Sequence, residues 1–435
     1  MSAQAIRGLS FPGHASGSFA IPTVCGTVFA LGTLVGSVPL AVAALLPLAI
    51  WAVIHAPETL LALLAAQGTL KALPPFSSSP VSLLYVTLGL VAIACVLRVR
   101  AAGLPAVGLV PLLMGVLVVA VLLAALTSAY PGSTYKAVYF EVVCGTLFFA
   151  PLVLVRDIEA VWRTAVAFVA IGLVVAHAAT PGSIPSQAFT VPGGNEITAA
   201  YFPALGAVAA LACLAMRTLG ARRVALIALA ALLSAAAVRT GSRGVLVALI
   251  AAMCVTLVLL VVHARRPALA LVLALLLAVG GYAGVRHVAG DVALQRYSQL
   301  TSDTRRDYLR THAIDQSLEH PMGLGIGGYG NNLPVVSLGS TTPYPHNILL
   351  EVLNETGLVG LSALLALLAA GIAVAVRLAR TPGLAFCAAG ITFAFVEALA
   401  SGNVNDNGVL WLMLGLTIAV GQAASTRGAR HPETA

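Results

Sequence analysis

The chain has 435 residues, of which 60% are hydrophobic and 9% charged, and its mean hydropathy is +1.00. A soluble surface needs about a quarter of the residues charged, so a water-soluble globular fold is excluded and a polytopic membrane protein is implied. The net charge of +8 does not point to nucleic acid, because the basic residues sit in short groups between apolar runs, where they orient helices.

Apolar runs occur at roughly 19–36, 38–55, 57–72, 81–97, 105–126, 135–154, 159–177, 196–216, 223–238, 243–262, 267–283, 348–376, 383–400 and 409–422, judged against the ~20 residues a span requires. They are rich in Leu, Ala and Val and show no alternation of period two, so they read as helices and not barrel strands. The expected fold is all-α, with 12–14 transmembrane helices; the first three runs, separated by Pro39 and Pro57, also read as one span with re-entrant pieces.

Arginines mark alternate connections: Arg98 and Arg100, Arg156, Arg217 with Arg222 and Arg223, Arg265 and Arg266, Arg377 and Arg380, Arg427 and Arg430. Residues 127–134, 178–195 and 401–408 are nearly free of charge. The positive-inside rule therefore places the arginine connections and both termini in the cytoplasm. The first residues show no clear cleavage pattern, so an uncleaved inner-membrane protein is expected. The implied organisation is a tail (1–18), transmembrane helices (19–283), a long periplasmic loop (284–347) with interfacial helices, further spans (348–422) and a second tail (423–435).

Cys25, Cys95, Cys144, Cys213, Cys254 and Cys387 all fall inside apolar runs, with neither metal-ligand nor disulfide spacing. There is no HExxH, no Cys–His cluster and no close aspartate pair in an outer loop, so catalysis without metal or cofactor is expected.

Two places oppose the charge rule. Arg239, Thr240, Gly241, Ser242, Arg243 and Gly244 form a short outer connection. There Arg243 opens a helix and reads either as an anion clamp or as a juxtamembrane arginine snorkelling to headgroups. Arg239, at the end of the preceding helix, suits its dipole.

The second place is the long loop. Thr301, Ser302 and Asp303 start a helix that His320 and Pro321 stop. On it Arg305, Leu309, His312 and Gln316 share one face, and Arg306 and Arg310 another. These arginines read as diphosphate ligands or as a solvated face paired with Asp303, Asp307 and Asp315. The glycines from Gly323 to Gly330 lack a preceding strand, which excludes a dinucleotide fingerprint and leaves a tight turn shaping a groove. His346, after Pro345 and before an apolar helix, sits where desolvation and the helix dipole favour the neutral imidazole that a general base needs. Asn347, Glu351, Asn354 and Glu355 continue as a polar stripe, for which pairing of Glu351 with an arginine is the first reading and orientation of His346 the second. Glu141, Glu196, Glu397 and Asp406 are further candidates for pairing.

The order "RTGSRG" opening a helix, "DTRRDYLRTHAIDQSLEHPMGLGIGGYGNN" in the long loop and "PHNILLEVLNETGLVG" starting the next span resembles the O-antigen ligase and polymerase superfamily. The length, without a soluble C-terminal domain, is more similar to the ligase branch. The resemblance implies a GT-C type membrane glycosyltransferase with its active site at the periplasmic face of the bacterial inner membrane. Such an enzyme moves glycan from undecaprenyl diphosphate to a lipid A-core sugar, in lipopolysaccharide biosynthesis, without a metal. Carried over by position, Arg243 and Arg305 hold the donor diphosphate and His346 is the catalytic base. Where the family often has glycine before the second arginine this chain has Thr304, so the choice among Arg305, Arg306 and Arg310 stays open. A repeat-unit polymerase and a protein O-oligosaccharyltransferase share the donor and differ in acceptor. A polytopic transporter would instead gather its polar groups near the midplane of broken helices.

Overall fold

The computed structural model describes residues 38–73, 77, 82–104, 108–155, 157–182, 189–192, 194–214, 222–263, 288–298, 304–331, 333 and 344–429. The apolar runs at 19–36 and 267–283 and the helix-start residues Thr301–Asp303 lie outside them, as does the side chain of Arg305.

The protein is an all-α multi-pass membrane protein. Its helices are α1 (Val38–His55), α2 (Pro57–Lys71), α3 (Leu83–Ala102), α4 (Leu109–Thr127), α5 (Ser133–Leu154), α6 (Glu159–Ala178), α7 (Glu196–Cys213), α8 (Arg222–Arg239), α9 (Arg243–His263), α10 (Asp291–Ser298), α11 (Thr304–Glu319), α12 (Gly328–Asn331), α13 (Ile348–Leu378), α14 (Ala385–Ala400) and α15 (Gly408–Ala429). Two-residue strands, Thr180–Pro181 and Phe189–Thr190, pair antiparallel in the connection from α6 to α7.

Among the described residues eight helices are long and apolar enough to cross a membrane, or nine when Pro47–His55 and Pro57–Lys71, bent by 120°, are taken together. That is fewer than the 12–14 spans read from hydropathy. Two of the runs lie outside the described residues; α8 carries Arg222, Arg223 and Arg239, and α14 is only 16 residues long.

Burial separates the helices into a centre and a rim. In α7, 78% of the apolar window is buried inside the protein, and in α15 72%, against 17% in α3 and 28% in α4 and α9. The rim helices turn Ile93, Val96, Leu112, Leu123 and Ile250 outward, as lipid-facing helices should. At the centre Trp411 of α15 is fully buried, edge-on to Phe140 with ring centroids 5.5 Å apart. Tyr201 of α7 meets Phe393 of α14 edge-on at 5.1 Å.

The connections converge at one end of this bundle. The last turn of α4 contacts the glycine turn after α11, with Ile326 N donating to Ala124 O at 3.2 Å. The start of α9 packs on the end of α14, and the start of α13 is bonded to the same end.

Candidate active site

The site is assembled around the last turn of α14 and the segment 401–407 that follows it. A helix ends with carbonyls that have no partner within the helix, and here other elements supply them. Arg310 of α11 donates through Nη2 to Leu399 O (3.3 Å) and Ala400 O (3.2 Å), and Arg306, one turn earlier, donates to Ala400 O at 3.4 Å. Asn347 Nδ2 donates to Leu399 O at 3.2 Å, and the Tyr344 hydroxyl to Ser401 O at 3.3 Å. A guanidinium near a helix C-terminus also complements its dipole.

α9 arrives at the same place. In the turn before it Gly241 has φ +72, and Ser242 N is held by Thr240 Oγ1 at 3.2 Å. α10 braces that turn, with the Tyr297 hydroxyl donating to Val238 O at 2.6 Å and Arg296 paired with Glu196. Arg243, half-buried, is the first residue of α9. Beside it, a Cβ on Gly244 would lie 2.9 Å from Ser401 Oγ and 3.1 Å from Ala400 Cβ. Arg243 therefore starts its helix against the residues that Arg306 and Arg310 bind.

α13 begins with Asn347 as its N-cap, the side chain accepting from Leu349 N (3.0 Å) and Leu350 N (3.2 Å). His346 precedes it with φ +54, among the described residues the only non-glycine in the left-handed region, a conformation that costs about 1–3 kcal/mol. Arg310 Nη2 donates to His346 O at 3.3 Å, and the imidazole lies with its centroid 4.1 Å from that of Tyr344. Burial, with the nearby Asp406 and Glu351 carboxylates, pushes the Tyr344 phenol up to about 12, so at neutral pH it stays a hydrogen-bond donor.

The structure thus gathers His346, Asn347, Arg306, Arg310 and the helix start that carries Arg243. Arg305 is in the first turn of α11. Arg239 goes elsewhere: its guanidinium stacks 4.1 Å above the Phe189 ring. Glu351 does not pair with an arginine. Lys136 Nζ lies 2.6 Å from Glu351 and 2.5 Å from Glu355. The second Glu351 oxygen accepts from Val404 N at 2.7 Å, and Glu355 Oε1 also accepts from Gly327 N at 2.9 Å. Glu196 does find an arginine, whereas Glu397 accepts from Ser401 Oγ at 2.7 Å and Asp406 from Asn403.

The glycine turn has a mainly structural task. α13 is broken at Gly357 (φ +69), which leaves carbonyls of the preceding turn without helical partners. Leu324 N donates to Asn354 O at 2.6 Å and Gly325 N to Glu355 O at 3.1 Å. The turn fills the break, and Gly327, Tyr329 and Gly330 line a cavity.

Two cavities flank Tyr344. One, of about 360 Å³, is lined by residues of α2, α5 and α7 together with Glu397, Ser401, Asn405 and Asp406. The other, of about 280 Å³, is lined by Tyr130, Tyr135, Lys136, Glu351, Glu355 and Asp406 among others. Among the described residues, Arg243, Arg306, Arg310 and His346 are not in the lining of either cavity. Among the described residues no three His, Cys, Asp or Glu side chains come together to hold a metal ion.

Lys136, Tyr344 and, apart from Asp406 as a pairing candidate, the residues of segment 401–407 were not singled out from sequence. Lys136 had a signal: it is the sole lysine near the start of its apolar run, and Glu351 and Glu355 stand one turn apart on another. The segment 401–407 carried little charge, and its part is played mainly by backbone groups.

Comparison with curated proteins gives no match. The family model described as O-antigen ligase matches residues 227–365, from within α8 to within α13; over that stretch, which holds the Arg239–Gly244 turn, α11, the glycine turn and His346, the chain is similar to the O-antigen ligase family.

Proposed function

We propose that the protein is an O-antigen ligase, which transfers glycan from undecaprenyl diphosphate to a sugar hydroxyl of the lipid A-core. In this reading it works at the periplasmic face of the bacterial inner membrane. The observation that carries the proposal is the meeting of three elements on the last turn of α14: the start of α9 with Arg243, the Arg306–Arg310 face of α11, and the His346–Asn347 start of α13.

The chemistry is a single displacement. An imidazole nitrogen of His346 takes the proton of the acceptor hydroxyl as its oxygen attacks the anomeric carbon. The bond from that carbon to the diphosphate oxygen breaks, the electron pair leaves with the diphosphate, and the anomeric configuration inverts. Arg243 and the arginines of α11 hold the diphosphate and stabilise the charge that develops on it. The planar fork of guanidinium matches phosphate oxygens, and two helix starts add amide groups of favourable sign. In that state the α11 arginines exchange carbonyl partners on α14 for phosphate oxygens. Arg239, held on Phe189, does not contact the diphosphate, and Glu351 supports the site through Lys136 and Val404.

The test is reconstitution. Full-length protein receives undecaprenyl-diphosphate glycan together with lipid A-core, or the donor alone. A product in which glycan is joined to lipid A-core is expected. Elongation of the lipid-linked chain with donor alone would identify a polymerase and overturn the ligase assignment. His346→Ala is expected to lower transfer by about 10²–10⁴-fold; transfer at the wild-type rate would remove His346 from the mechanism.

A further inference from the structure

The larger of the two cavities has a lining of distinct chemistry. Among the described residues its charged lining groups are the carboxylates Glu397 and Asp406. Such a lining favours a neutral ligand over a diphosphate. Amides and hydroxyls surround these carboxylates, including Gln67, Asn195, Thr198 and Asn407, and Tyr139, Tyr201 and Tyr344 give it aromatic walls. Carboxylate and amide acceptors combined with aromatic faces suit a neutral, hydroxyl-rich ring, whose edge is polar and whose face is apolar.

Two of the polar atoms lack partners. The Tyr201 hydroxyl and Asn405 Oδ1 are buried and have no hydrogen-bond partner among the described residues. A buried polar atom left unpaired costs about 1–3 kcal/mol, and both residues stand in the cavity wall, where a ligand that donates and accepts would satisfy them. Tyr344 connects this cavity to the chemistry, because the same ring lines the cavity and packs 4.1 Å from the His346 imidazole.

We propose that this cavity, between α2, the start of α7 and residues 401–409, is a subsite for a neutral sugar ring of the glycan adjoining the reacting bond, with the Tyr201 hydroxyl and Asn405 Oδ1 hydrogen-bonding its hydroxyls. This rests on the glycosyltransferase reading and adds the position of one sugar. A volume of about 360 Å³ falls at the small end of ligand pockets, about 300–1,000 Å³, which fits a short glycan segment and excludes a lipid A disaccharide with its acyl chains.

The ring has two possible sources, the donor glycan or the core acceptor, and the experiment separates them. Full-length protein in nanodiscs is titrated with two lipid-free, phosphate-free oligosaccharides, the O-antigen repeating unit and the core oligosaccharide, with binding followed by saturation-transfer NMR. One of them is expected to bind, and the one that does identifies the source. Tyr201→Phe removes only an unpaired hydroxyl, so thermal stability should hold while binding weakens about three- to tenfold. Ala65→Leu adds apolar bulk to the lining and should abolish binding. Binding of neither oligosaccharide, or equal binding by wild type, Tyr201→Phe and Ala65→Leu, would overturn the subsite. Failure of the catalytic reading shows separately, as undiminished transfer by His346→Ala whatever the sugar binding.

Discussion

His346 carries both a chemical role and a backbone cost. At φ +54 an ordinary side chain crowds its own backbone, and the conformation persists because the neighbours fix it: Asn347 caps α13 on one side and Arg310 binds the His346 carbonyl. Strain of this kind gathers where a side chain has to be aimed. The sequence Pro-His-Asn before an apolar helix made the residue legible, but the left-handed backbone was not, since it follows from contacts with α11 and α14. The expected outcome is that His346→Ala and His346→Gly are both inactive while the glycine variant is the more stable of the two by about 1 kcal/mol. Paired thermal unfolding and transfer assays check this, and equal stability would mean the backbone is unstrained. Lys136 gives a second prediction at this scale. Glu351 and Glu355 are 1% and 3% exposed and share its ammonium, so Lys136→Met leaves two buried carboxylates uncompensated. A loss of about 3–5 kcal/mol is expected, with partial recovery when Glu355→Gln is added, both read by thermal unfolding.

At the scale of elements, hydropathy located α3, α4, α6, α9 and α15 because a span must be long and apolar whatever its neighbours. It was silent on the break inside α13. Thr356 and Gly357 sit in an apolar run that reads as an uninterrupted helix, yet the run is broken at Gly357 and its loose carbonyls are taken by Leu324 and Gly325. The glycine turn was therefore legible as a turn but not as a plug, since its partner is more than twenty residues away. A side chain at Gly357 would meet the Met322 backbone at a φ of +69. Gly357→Ala should cost more than about 1 kcal/mol from the backbone conformation alone, with a further loss from that clash. A thermal midpoint unchanged from wild type would show that α13 can run through as an unbroken helix.

At the scale of the whole molecule, the motifs were legible in their order along the chain, but the place where they meet was not. Segment 401–407 carried no motif, and its backbone is nonetheless what Tyr344 and Glu351 bind, beside the α14 carbonyls that hold Arg306, Arg310 and Asn347. Its sequence shows little because main-chain carbonyls and amides are the same in every residue. The arrangement makes α14 the common reference for three elements distant in sequence, so the spacing between α9 and α14 should control activity independently of stability. Gly244 is the test, because an added methyl would press on Ser401 Oγ at 2.9 Å and Ala400 Cβ at 3.1 Å; the hydroxyl can rotate, but Ala400 Cβ moves only with its backbone, so the two helices part by a few tenths of an ångström. Gly244→Ala is expected to leave thermal unfolding close to wild type. Moving Arg243 away from α11 and His346 by a fraction of an ångström should lower transfer by on the order of 10-fold, given that about 1 Å of misplacement costs about 100-fold. The loss should fall on kcat, since the diphosphate is held most tightly as it leaves. A comparable methyl on the outer face of the same helix, as in Val247→Ile, should change neither quantity. Equal activity for Gly244→Ala and wild type would mean that α9 is not held in register by α14, and that the meeting of the three elements is packing alone.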